Sequence, residues 1–173
     1  CPFAQSAAIA LSCRGQWFDR GAADERHGAL IVRMAPDRQL RVHTIPVLLD
    51  LLEALHPSHS LYAPDSQTRG HERSLLQRSE RLYPFTVTLT AARNDRDLDL
   101  ALYFLHDALH PFTEVMRNAR APLGNVDVAL APVLWRAAVM DKKFGSRILV
   151  GLPALAKRIA VLMAATPVGS ILS

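Results

Sequence analysis

The sequence has 173 residues, half of them apolar and 21% charged, with 8 Gly and 11 Pro. That composition excludes a disordered or collagen-like chain and leaves room for one core or two small packed ones. The formal charge of +4 is scattered through amphipathic stretches, so the Lys and Arg residues read as solvated surface and no nucleic-acid partner is expected. Two cysteines, Cys1 and Cys13, suit a reducing, cytoplasmic compartment better than a secreted disulfide scaffold.

In chain order, the Ala-rich run from Gln5 to Arg14 predicts a helix stopped by Gly15. If Cys1 opens that helix, a rise of about 1.5 Å per residue puts it roughly 18 Å from Cys13, too far for a bridge. Gly28 to Met34, with its β-prone Leu30-Ile31-Val32, predicts a strand; a turn at Ala35-Pro36-Asp37-Arg38 leads to a second extended piece, Leu40 to His43. Val47, Leu48, Leu51, Leu52 and Leu55 recur at helical spacing, so Pro46 to Leu55 predicts a helix, closed by His56-Pro57. Pro57 to Ser66 reads as a linker.

Everything beyond the linker reads as helical. One segment carries Leu75, Leu76, Leu82 and Phe85; the next carries Leu98, Ala101, Leu102, Leu105, Leu109, Phe112 and Met116; Val126 to Met140 and Ala154 to Ala165 follow. The apolar stretch Ile159 to Ala165 is far shorter than the roughly 20 residues a bilayer requires, so no membrane partner is expected, and no signal-peptide pattern is present.

The chemically informative feature is Cys1-Pro2-Phe3-Ala4 at the start of the first helix. A thiol beside helix N–H groups and the positive dipole end has its thiolate stabilised, and Pro2 suits the first turn, where a missing N–H is no loss. Ala4 stands where a dithiol oxidoreductase has its second cysteine, so a mixed disulfide at Cys1 is not resolved internally. His106 and His110, and His56 and His59, have spacings a zinc site uses, but no third and fourth ligands cluster with them, and no metal is expected. Trp17, Tyr62, Tyr83, Tyr103 and Trp135 are expected in the core more than in a substrate pocket.

CPFAQ followed by an Ala/Ile-rich helix ending in Gly resembles the active-site helix of Cys-type, omega-like members of the glutathione S-transferase superfamily, and of the related intracellular chloride channel proteins. VDVALAPVLWR, residues 126–136, resembles the hallmark helix of that superfamily's C-terminal domain in the form seen in stringent starvation protein A. LYAPD, residues 61–65, with Arg69 and Arg73, resembles its linker and the opening of its first C-terminal-domain helix. The resemblance implies an incomplete thioredoxin-like α/β segment over residues 1–57, lacking the superfamily's first strand, packed on an all-α domain over residues 58–173.

It further implies glutathione as substrate, with Cys1 forming a mixed disulfide, Phe3 packing the helix beneath it, and Val42 and Thr44 holding the tripeptide. The expected activity is glutathione-dependent thiol transfer to a small electrophile or disulfide, with a homodimer possible. The alternative is a catalytically silent binding module in a protein complex, as in stringent starvation protein A. Two departures bear on the choice. Aligning the helix that ends at Pro57 puts Arg41 where the superfamily has a cis-proline, and Thr44-Ile45 where it has a Glu-Ser pair for the γ-glutamyl carboxylate. A second register makes Ile45-Pro46-Val47-Leu48 the cis-proline strand. Gly124 also replaces a capping Ser, which deprives Asp127 of its capping-box partner.

Overall fold

The computed structural model describes residues 2–18, 30–35, 38–118, 123–145 and 147–173. Helix α1, Pro2–Cys13, leads to the strands β1, Leu30–Ala35, and β2, Arg38–Val42. Helix α2, Ile45–Leu55, follows, then a single 3-10 turn at Pro57–His59. The remaining helices are α3, Ser66–Ser79; α4, Leu82–Ala91; α5, Asp95–Leu109; α6, Phe112–Asn118; α7, Asn125–Phe144; α8, Pro153–Ala164; and α9, Thr166–Leu172. The fold is a small α/β segment on an all-helical body.

The hairpin β1–β2 is antiparallel, with Leu30 opposite Val42 and Ala35 opposite Arg38 and an irregularity between Arg33 and Ala35. Side chains alternate across a strand, so Val42 is buried while its neighbour Arg41 faces out. Ile45–Leu55 is helical throughout. The register that made Ile45 to Leu48 a strand is therefore overturned: Leu48, Leu49 and Leu52 are buried along one helical face, and Pro46 sits in the first turn, where it costs nothing.

Helix α7 is the centre of the molecule. Val128, Ala129, Leu130, Ala131, Val133 and Leu134 are all fully buried, so the first half of this helix is covered on every side, the pattern of a core helix rather than a surface one, while Lys142 and Lys143 near its end are exposed. Helix α1, whose buried residues include the small Ala7, Ala8 and Ala10, packs against it, with Ser6 reaching the Ala129 carbonyl. Gly15, with φ of 63°, ends α1 in the left-handed region that suits glycine.

Two segments that read as continuous helices are each broken in two. The first divides at Glu80–Arg81 because Pro84 belongs in the first turn of a helix, where its missing N–H is no loss; α4 starts two residues earlier, at Leu82. The second divides at His110–Pro111 for the same reason. Helix α9 has no counterpart in the sequence reading, since seven residues containing Pro167 and Gly169 carry no usable periodicity. Val168 and Leu172 bury it against α1 and α8. Among the described residues no single helix is long and apolar enough to cross a membrane; α8 and α9 reach that length only together and meet at 93°.

Two of the five aromatics expected in the core are outside it. Trp17 follows the Gly15 turn and is 85% exposed, and Tyr103, at 68%, lies on the face of α5 opposite the buried Ala101, Leu105 and Leu109. Asp127 does not lose its role with the capping Ser. Its Oδ2 accepts the Gly124 N–H at 3.0 Å, and both carboxylate oxygens accept from Arg158, Nε at 2.7 Å and Nη2 at 2.5 Å. Gly124 has no side chain to return the capping bond. A buried bidentate pair to α8 replaces it.

A Cβ at Gly169 would stand 2.5 Å from the Met163 carbonyl oxygen, whereas one at Gly70 meets nothing within 4 Å. Gly169→Ala is therefore expected to lose about 1–3 kcal/mol in urea unfolding. Gly70→Ala, on the exposed face of α3, is expected to gain about 0.5–1 kcal/mol.

Candidate functional site

Cys1 lies outside the described residues, so the site is built from what surrounds the start of α1. Pro2 is buried, Phe3 is half-buried and packs against the core, and Ala4 is exposed. Ser6, completely buried, holds this end of the helix. Its Oγ is 3.3 Å from the Tyr83 hydroxyl, and the Tyr83 hydroxyl donates to the Ala129 carbonyl at 3.2 Å. Ser6 Oγ also donates to the Ala129 carbonyl at 3.5 Å, so both hydroxyls meet at that oxygen. Burial pushes the Tyr83 phenol well above its ordinary range, the Ser6 bond opposes this, and the nearby Glu80 carboxylate adds to it.

Tyr83 from α4 and Ser6 from α1 converge on the Ala129 carbonyl of α7. One residue away, the Val128 carbonyl is left without its helical N–H by Pro132, four residues on. No sequence signal marks this three-helix contact.

The second wall is the turn from β2 into α2. Val42 is buried, so its backbone is what it can offer a ligand; Arg41 and His43 are exposed. Thr44 is extended, with φ of −134° and ψ of 150°, and its hydroxyl makes no capping bond. The Ile45 N–H, at the mouth of the helix, donates to Glu80 Oε1 at 2.9 Å. Burial raises the Glu80 carboxyl above its usual range, and the Ile45 N–H works against that. The junction between α3 and α4 thus reaches α1 through Tyr83 and α2 through Glu80.

Below the turn lies a buried polar cluster that sequence reasoning missed. Glu53 Oε1 accepts from Arg14 Nη2, from the Leu61 N–H at 2.9 Å and from Asn125 Nδ2 at 3.1 Å. Arg14 Nη1 donates to the Ala10 carbonyl at 3.0 Å, and the Asn125 N–H reaches the Leu61 carbonyl at 3.3 Å. The Arg14 side chain is fully buried. Burial alone would raise the Glu53 carboxyl, but its hydrogen bonds, with those from Ser60, Leu61 and Asn125 foremost, and the Arg14 charge hold it below the usual carboxylate range. The signal available was a charge against each apolar helix, Arg14 before Gly15 at the end of α1 and Glu53 between Leu52 and Leu55 inside α2.

The other candidates are not gathered here. No group of three or more His, Cys, Asp or Glu side chains able to hold a metal occurs among the described residues. Cys13 is free and half-buried, and burial pushes its thiol up.

A helix-start segment, a β-hairpin and an all-helical body arranged in this way match known structures over nearly the whole chain. The fold is that of the glutathione transferases. The omega 3C enzyme of Trametes versicolor superposes with a TM-score of 0.78 at 18% identity, over 99% of this chain and 79% of that one. The tau-class enzyme of mango gives 0.75 at 16% identity, over 100% and 89%. A Burkholderia graminis glutathione transferase with two glutathione molecules bound per subunit gives 0.78 at 14% identity, over 99% and 83%. No family model matches the sequence, and no curated protein does.

Glu53→Gln is expected to destabilise the protein by about 3 kcal/mol, because it leaves the buried Arg14 charge uncompensated. A carboxyl held below its unfolded value contributes stability above that value and loses it as pH falls through the folded one. In the wild type that contribution fades as pH drops below about 4.5, and in Glu53→Gln the corresponding slope is absent. Urea unfolding across acid pH measures both.

Proposed function

We propose that this chain is a glutathione-dependent thiol transferase acting through Cys1 in a reducing cytoplasm. The observation that carries the reading is the start of α1 at Pro2, directly after Cys1 in the chain, in a glutathione transferase fold. Helix N–H groups and the dipole favour the thiolate at such a position. Structures of the same fold support the ligand: one from Methylobacterium radiotolerans is a complex with glutathione sulfonate, and the Burkholderia graminis enzyme binds glutathione itself.

In this reading residues 1–57 bind glutathione, with Phe3 supporting the helix, the Val42 backbone and Thr44 meeting the tripeptide, and residues 58–173 supplying the second-substrate side. The Cys1 thiolate attacks the glutathione sulfur of a mixed disulfide; that S–S bond breaks, the partner leaves as a thiolate, and a Cys1–glutathione disulfide forms. A second glutathione thiolate then attacks it, releasing glutathione disulfide and restoring the Cys1 thiolate. The entering glutathione thiolate is the reductant, since the first glutathione arrives already in the disulfide. No internal cysteine is needed.

A specific observation favours a second reading. With Arg41 in place of a cis-proline and the Ile45 N–H engaged by Glu80, the α2 mouth departs from a site open to a carboxylate. A catalytically silent binding module is the alternative.

Incubation with oxidised glutathione followed by intact-protein mass measurement separates the two. The transferase reading expects one glutathione adduct, absent in Cys1→Ser and released by excess reduced glutathione; no adduct, or one at Cys13, favours the binding module. We also propose a homodimer through the exposed face of α5, where Leu100, Tyr103 and Phe104 stand within one turn and Phe104 stacks on Phe85 at 5.9 Å. Phe104→Arg is expected to shift sedimentation from dimer to monomer without loss of helicity.

A further inference from the structure

A helix begins with N–H groups that have no partner within it. At α2 these belong to Thr44, Ile45 and Val47, since Pro46 has none and the Leu48 N–H already bonds the Thr44 carbonyl at 3.1 Å. Glu80 takes the Ile45 group. Glu80 keeps helical dihedrals, φ −56° and ψ −31°, at the end of α3, so its side chain projects as a residue of that helix does and reaches α2, while Tyr83, three residues later, fixes the junction to α1. The carboxylate is half-buried, and the Ile45 N–H is its hydrogen-bond partner; among the described residues no cation pairs with it.

We propose that Glu80 is the specificity-determining residue of the β2–α2 turn: an internal carboxylate occupying the donor that an incoming carboxylate needs. A ligand anion reaching for the Ile45 N–H must displace a tethered like charge. The turn therefore discriminates against carboxylate-bearing ligands, the free γ-glutamyl end of glutathione included, for as long as Glu80 is seated. This rests on the glutathione reading above only in naming that ligand; the occupancy of the donor belongs to the chain itself.

The experiment uses the full chain near neutral pH, as wild type, Glu80→Ala and Glu80→Gln, with two probes: reduced glutathione by calorimetry, and acetate by NMR at the Ile45 amide. Glu80→Ala is expected to bind glutathione at least about fivefold more tightly than wild type, the lower end of a typical coupling between groups. Its Ile45 amide is expected to shift with acetate, where the wild-type amide does not. Glu80→Gln keeps an oxygen for the N–H and removes the charge, so its gain is smaller. An Ile45 amide that acetate moves in Glu80→Ala, with glutathione binding to none of the three proteins, supports the role of Glu80 and sinks the glutathione reading. Equal glutathione affinity in all three, or an Ile45 amide indifferent to acetate in both variants, overturns the role of Glu80. Should Glu80→Ala not fold, Glu80→Gln matching wild type with both probes overturns it equally.

Discussion

A single carboxylate oxygen, Glu53 Oε1, holds the end of α1, the last turn of α2, the segment after Pro57 and the start of α7 together. A buried charge is costly unless it is paired and its remaining valences are met. Here Arg14 supplies the charge, while Leu61 and Asn125 supply the other donors. Because three donors, from the end of α1, the segment after Pro57 and the start of α7, meet one oxygen on α2, that oxygen is satisfied only when all four parts are in place. What would be a weak contribution to stability in isolation becomes a demand on geometry.

The stretch after Pro57 is accordingly not a free linker. Leu61 gives its N–H to Glu53 and its carbonyl to Asn125, and Tyr62 beside it is buried, its hydroxyl donating to Asp50 at 2.9 Å. Burial and the Asp50 bond push the Tyr62 phenol up to about 12, so it stays a donor over any physiological pH. The helical body and the α/β segment are thus joined by polar groups that have partners on both sides of the junction. Asp127 and Arg158 repeat the device between α7 and α8.

Around this frame, two contacts shape the surroundings of the proposed active site. The Ala129 carbonyl of α7 is the meeting point for Ser6 of α1 and Tyr83 of α4. Pro84 stands in the first turn of α4, and at the joint before that helix Glu80 accepts the Ile45 N–H at the mouth of α2. The joint between α3 and α4 thus reaches both the seat of α1 and the turn opposite it.

Much of the fold was legible in the sequence because it rests on local rules. Ala-rich α1 with its Gly15 stop, the hairpin around Leu30 to Val42, the helix after Thr44 and the apolar α7 each follow from propensity and periodicity within about a dozen residues. The candidate site was legible only as far as the CPFAQ motif and the departures at Arg41 and Thr44-Ile45. What the tertiary structure alone decided are the pairings of residues distant along the chain: Glu53 with Arg14 and Asn125, Asp127 with Arg158, Tyr83 with Ser6, and Glu80 with Ile45. No local pattern encodes such partners, because a charged or polar side chain is equally at home in water until packing removes the water and leaves one neighbour able to replace it.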